Sequence, residues 1–117
     1  MTEEELLQRT KDFALRVIKL VNALPKNIAG RTIGGQIIRS GTSVASNYRA
    51  ACRGRSKPEF ISKLGIAEEE ADESALWMEM IIESGLMKKE LVKNLLQEAR
   101  ELTKIFAKSK ISARKNK

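Results

Sequence analysis

Apolar residues in this sequence recur at intervals of three and four, and there is no sustained alternation at intervals of two. That period restricts the chain to helices, because a half-buried strand needs alternation to place one face in a core. Breaks at Pro25 to Arg31, Arg53 to Ser56 and Gly85 to Met87 divide the periodic stretches into four. The first opens at Thr2, with Glu5 three residues on, a pattern in which each side chain satisfies the other's free backbone amide. Leu6, Phe13, Val17, Leu20 and Leu24 follow at helical spacing until Pro25 stops the helix. The second helix spans about Thr32 to Arg53. The third opens with a second Ser/Glu box, Ser56 and Glu59, with Pro58 in its first turn. Its Phe60, Leu64, Ala67, Ala71, Ser74, Met78, Ile81 and Ile82 fall within about 100° of arc, the width of a core-facing stripe. Gly85 follows as its terminating residue. The fourth runs from about Lys88 to Lys108, with Leu91, Leu95, Ala99, Leu102 and Phe106 on one face.

Four helices of about 20 residues, each near 30 Å long and joined by short connections, predict an all-α, antiparallel up-down four-helix bundle. A length of 117 residues matches one such domain. The bundle is expected over residues 1–108, and residues 109–117 are expected to be a basic, frayed tail because they lack core residues.

Residue counts narrow the chemistry. There is no His and only one Cys, Cys52. This removes a disulfide framework, a Cys/His zinc site, a Ser-His-Asp or Cys-His arrangement and a His-based di-iron site. No cofactor and no catalytic residue is therefore expected. The lone cysteine fits a reducing cytoplasm. No apolar run reaches the length of a membrane span, and the opening Thr2-Glu3-Glu4-Glu5 differs from a basic leader, so no membrane partner is expected.

Charge placement says more than its total of +7. Residues 1–30 carry five cations and four anions, and residues 31–64 carry seven and one. Residues 65–87 carry seven carboxylates and no cation, whereas residues 88–117 carry ten cations and three anions. Such alternation predicts elements that attract one another and two basic segments with charge left over for an outside partner.

The second helix is the most informative. On a helical wheel, Gln36, Arg39, Ser43, Ser46 and Arg53 gather on one side, within about 100°. Ile33, Ile37, Gly41, Val44, Tyr48, Ala51 and Cys52 gather on the other. Gly34, Gly35 and Gly41 each cost about 1 kcal/mol relative to Ala inside a helix. Either they permit close approach of another helix, or the helix starts after Gly35 and two of them lie in a loop.

The run from Gly35 to Ala51, with its Gln36-x-x-Arg39-Ser40-x-x-Ser43-x-x-x-Asn47 core, resembles the signature of bacterial four-helix bundle proteins encoded by intervening sequences of the large-subunit ribosomal RNA gene. Ser56, Glu59, Phe60, Lys63, Leu64, Ala67, Glu70, Ala71, Glu73 and Trp77 are similar to the next helix of that family. The resemblance covers about Phe13 to Phe106. Ala50 stands where the family often carries Glu. A related branch, the accessory variability determinant of diversity-generating retroelements, resembles this chain in fold. It implies a pentameric barrel, nucleic-acid binding and a reverse-transcriptase partner.

Arg39, Arg49, Arg53, Arg55 and Lys57 form a basic set suited to phosphates, because the arginine fork donates two hydrogen bonds at once. The alternative use of the same arginines is pairing with the acidic third helix, inside the bundle or across subunits. Ser40, Thr42, Ser43, Ser46 and Asn47 are either ligand hydroxyls and amides or small residues that permit close packing. Glu69 and Glu73 sit one turn apart but have no His to complete a di-iron site. Gly30-x-x-x-x-Gly35 lacks the Lys and Ser/Thr of a phosphate-binding loop, since Gln36 and Ile37 follow. Trp77 falls about 100° off the core stripe, beside Ile66, and both are candidates for a subunit interface. The sequence thus predicts a non-catalytic homo-oligomer, pentameric by resemblance, that binds RNA or DNA through a basic surface. The different-class alternative is an adaptor whose basic surface meets an acidic protein.

Overall fold

The computed structural model describes residues 1–116 and contains four helices: α1 (Glu3–Ala23), α2 (Ile28–Cys52), α3 (Lys57–Glu83) and α4 (Lys89–Lys115). They form an antiparallel bundle measuring 49 × 20 × 19 Å, in which α1 packs on α2, α2 on α3 and α3 on α4. No described helix is long and apolar enough to cross a membrane.

The expected starts of α1 and α3 are present. Thr2 Oγ1 accepts from Glu5 N, and the Thr2 amide donates in return to Glu5 Oε1. At α3, Ser56 Oγ accepts from Glu59 N, and only this half of the expected box forms among the described residues. Gly85, with φ +78°, turns the chain after α3. The core takes Leu6, Phe13, Val17 and Leu20 from α1, Ile37, Val44 and Tyr48 from α2, and Leu64, Ala67, Ala71, Met78 and Ile81 from α3. Leu95, Ala99, Leu102 and Phe106 complete it from α4.

Three expectations need correction. First, α2 begins at Ile28 rather than near Thr32, because Asn27 caps it: the Asn27 carboxamide oxygen accepts from Gly30 N at 2.8 Å. All of its glycines are therefore helical. Second, Leu91 is 65% exposed, and Val92 takes the core position at that level. Leu91 lies roughly 70° from the centre of the stripe set by the other core residues of α4, so the turn rotates it outward. Third, α4 continues past the expected end at Lys108 to Lys115, so residues 109–115 are helix rather than a frayed tail. Lys110 holds this extension on α3: its Nζ lies 2.6 Å from the buried Glu68 Oε1. Its aliphatic stem lies over Gly65, 3.8 Å from where a β-carbon there would stand.

Gly41 and Gly35 separate the two readings of a helical glycine. A β-carbon on Gly41 would stand 2.8 Å from both γ-carbons of Val17, so this glycine sets the α1–α2 distance. At Gly35 nothing lies within 4 Å. We expect Gly35→Ala to stabilise the fold by about 1 kcal/mol through helix propensity. Gly41→Ala is expected to destabilise it by about 1–3 kcal/mol, because the β-branched Val17 has no soft rotamer with which to yield. Urea unfolding of the two variants checks this. Equal effects would contradict the close approach.

Candidate nucleic-acid interface

The family-like residues of α2 divide into two groups according to what they touch. Arg39 and Ser40 face α3. Ser40 and Ser74 are fully buried, with their hydroxyl oxygens 2.8 Å apart. Ser74 Oγ also reaches Glu70 O at 2.8 Å and Ser40 Oγ reaches Ile37 O at 3.3 Å, so either hydroxyl can donate across the helix interface. Beside this buried bond, Arg39 donates to Glu70 Oε2 at 2.8 Å and to Glu73 Oε2. Trp77 Nε1 donates to the same Glu73 oxygen at 3.0 Å. The indole bond, followed by the Arg39 charge, holds the Glu73 carboxyl below its ordinary value of 4.5. Glu73 in turn raises the pKa of the Arg39 guanidinium. Arg39 is thus turned toward the acidic helix, the internal pairing weighed for it above.

Asn47 donates to Ser43 O at 2.9 Å, and Ser46 to the same carbonyl at 3.2 Å. Thr42 donates to Ile38 O at 2.6 Å. These side chains bond back to their own helix, and Thr42 and Ser46 line a groove between α1 and α2. Gln36 is exposed beside them.

The remaining basic candidates sit at one end of the bundle. Arg49 and Arg53 are exposed on the last turns of α2, Arg55 on the connection, and Lys57 at the first residue of α3. Among the described residues none of the four makes an ion pair. Arg39 lies about 21 Å from Arg53 along the helix, so the expected five-residue set does not form one patch. Arg49 and Arg53 also border a groove of about 620 Å³ between α1 and α2, with Leu7, Ala45 and Cys52 on its walls and Glu3 and Glu4 at its mouth. Burial pushes the Cys52 thiol up, so Cys52 is a protonated wall residue rather than a nucleophile near neutral pH.

The two interface candidates behave differently. Ile66 is exposed on the outer face of α3. Trp77 is half-buried against the core, with its N–H already bonded to Glu73. Leu76 and Met80, which the sequence reading passed over, join Ile66 as exposed apolar side chains on α3. Their signal was available: α3 carries apolar residues on both sides, more than one core needs. Glu69 and Glu73 gain no further ligand, and among the described residues no three His, Cys, Asp or Glu side chains converge.

A family model for the 23S rRNA-intervening sequence protein matches residues 2–108. Among solved structures, the chain is similar to a protein of unknown function from the S23 ribosomal protein family of Bacteroides thetaiotaomicron. The two share 28% identity with a TM-score of 0.83, over 92% of this chain and 96% of that one. No curated protein matches the chain.

Trp77 is the only tryptophan, so its fluorescence reports on the Arg39–Glu73 pair. Because the folded Glu73 pKa is depressed, its contribution to stability is full above the unfolded carboxylate value and is lost as pH falls through the lower folded one. We expect an acid transition in Trp77 emission with a midpoint below 4.5, and its disappearance in Glu73→Gln. An identical transition in that variant would show that another carboxylate controls the indole.

Proposed function

Because the chain belongs to the 23S rRNA-intervening sequence protein family, we propose that it is a non-catalytic, homo-oligomeric protein that binds RNA or DNA through the basic surface at the α2–α3 connection. The observation that carries this reading is the division of its charges. Four of the seven carboxylates in the acidic segment of α3 are held in internal pairs, Glu68 with Lys110, Glu70 and Glu73 with Arg39, and Glu79 with Arg100, while Glu69, Asp72 and Glu83 are exposed. Arg49, Arg53, Arg55 and Lys57 are left facing solvent without carboxylate partners among the described residues. An exposed cation is cheap in water, but four close together repel one another. A polyanion that displaces its counterions into bulk converts that repulsion into binding. Association of copies through Ile66, Leu76, Met80 and the edge of Trp77 would repeat this surface and raise its local field.

Affinity for a mixed-sequence nucleic acid is expected to fall by roughly 10³-fold or more between 50 and 200 mM salt, as about six phosphate contacts summed over the assembly require. Arg53→Gln with Arg55→Gln should weaken binding and flatten that slope with little preference among sequences. Fluorescence anisotropy measures both, and light scattering of the same samples gives the mass. Salt-insensitive binding, or none at 50 mM, would contradict the nucleic-acid reading and favour an acidic protein partner. A single-chain mass at micromolar concentration would remove the subunit contact.

A further inference from the structure

We propose that the last two turns of α4 complete the binding surface, and that the ligand gripped at this end of the bundle is a double-stranded nucleic acid. This deepens the nucleic-acid reading above and rests on it.

Two observations carry the inference. The first is a juxtaposition that the sequence order conceals. Helices α3 and α4 run antiparallel, and Lys110 pairs with Glu68 across them. Four or five residues further on, Arg114 and Lys115 lie about 6–7.5 Å nearer the end of the bundle, beside the first turns of α3. That is the level of Lys63 and Lys57 and of the connection carrying Arg53 and Arg55. Cations from residues 53–63 and from residues 108–115, separated by the whole acidic segment in sequence, therefore share one end. Arg114 and Lys115 are exposed and, among the described residues, make no ion pair. This end also carries carboxylates, Glu3, Glu4 and Glu5 in the first turn of α1 and Glu59 in that of α3, but its cations outnumber them. The opposite end has fewer cations, Lys26, Arg31, Lys88 and Lys89 beside Glu83 and Glu90; its Arg31 guanidinium donates to Lys26 O at 2.9 Å, and Ile28 and Leu91 expose apolar surface.

The second observation is where the aromatic rings are. The chain has three Phe, one Tyr and one Trp. Phe13, Tyr48 and Phe106 are buried, and Phe60 and Trp77 are packed against the core. No ring stands free at the basic end. Proteins that hold single strands stack the unpaired bases on exposed rings, each worth about 1–3 kcal/mol. Without rings this end can only bind phosphates. A duplex suits it better, because its bases are already stacked and it presents one charge per about 1.7 Å of axis. Across an end about 20 Å wide that is roughly 12 phosphates, enough to face the six side chains Arg53, Arg55, Lys57, Lys63, Arg114 and Lys115.

The test is an anisotropy titration of the full chain with three probes of one sequence: an RNA duplex, a DNA duplex and the single strand. Each is measured from 50 to 200 mM salt. Both duplexes are expected to bind at least tenfold more tightly than the single strand. In the double variant Arg114→Gln/Lys115→Gln, the slope of log affinity against log salt should drop by about 1.8 per bound chain, at 0.9 per lost phosphate contact. Circular dichroism confirms that the variant is folded. A control at the opposite end, Lys26→Gln/Lys89→Gln, should leave the slope nearly unchanged. Single-strand binding equal to or tighter than duplex binding overturns this inference while leaving the nucleic-acid reading standing. An equal loss in the control variant overturns the assignment to this end. Absence of binding to every probe contradicts both readings together.

Discussion

The polar seam between α2 and α3 is the contact on which the rest of this bundle depends. Its centre is the Ser40–Ser74 hydrogen bond, fully buried, with both hydroxyls spent on each other or on a backbone carbonyl. A one-residue slip of α2 along α3 would break the bond between them and leave each hydroxyl only a carbonyl of its own helix, Ile37 O for Ser40 and Glu70 O for Ser74. The outer edge of the seam is the Arg39 guanidinium held by Glu70 and Glu73. An exposed pair of this kind adds little stability, but here it reads the same register as the buried bond. Small residues at the centre and charges at the rim thus specify one alignment of the two helices.

That alignment places everything else. It sets the α2–α3 connection at one end, with Arg53, Arg55 and Lys57 outward. Helix α1 docks on the far side of α2, where Gly41 admits Val17. Helix α4 follows α3, tied along its length by Arg100–Glu79 and Lys110–Glu68. Helices α1 and α4 share the least contact of the packed pairs, and Arg9 bridges them with a two-pronged grip on Glu98 at 2.6 and 2.7 Å. The acidic stretch of α3 therefore serves as a central belt that absorbs cations from two neighbouring helices. Other cations without an ion pair stand along the bundle, such as Arg16 on α1 and Lys104 on α4, and Arg49, Arg53, Arg55 and Lys57 gather at one end.

Much of this was legible in the sequence, and the failures have physical causes. The helices α1 and α3, the inward face of α2 and most core residues follow from period and capping, because both are local properties. Asn27 was readable as a cap but was masked by four glycines that lower the apparent helix propensity ahead of it. Leu91 was misassigned because one apolar residue in a first turn can face either way until its neighbours pack. The end of α4 was missed because no core residue supports it; a lysine stem over Gly65 and an ion pair to α3 do so instead, and both are tertiary. Arg39 had two uses open to it, and only the placement of Glu70 and Glu73 decides between them.

The central claim is that the arginines of α2 and of its connection to α3 are divided, Arg39 to the seam and Arg55 to an outside partner. It is tested most directly by measuring urea stability and duplex affinity in parallel for Arg39→Gln and Arg55→Gln. The account predicts unchanged affinity with at most a small drop in unfolding midpoint for Arg39→Gln, and an unchanged midpoint with weaker binding for Arg55→Gln. Weakened binding at unaltered stability in Arg39→Gln would contradict it.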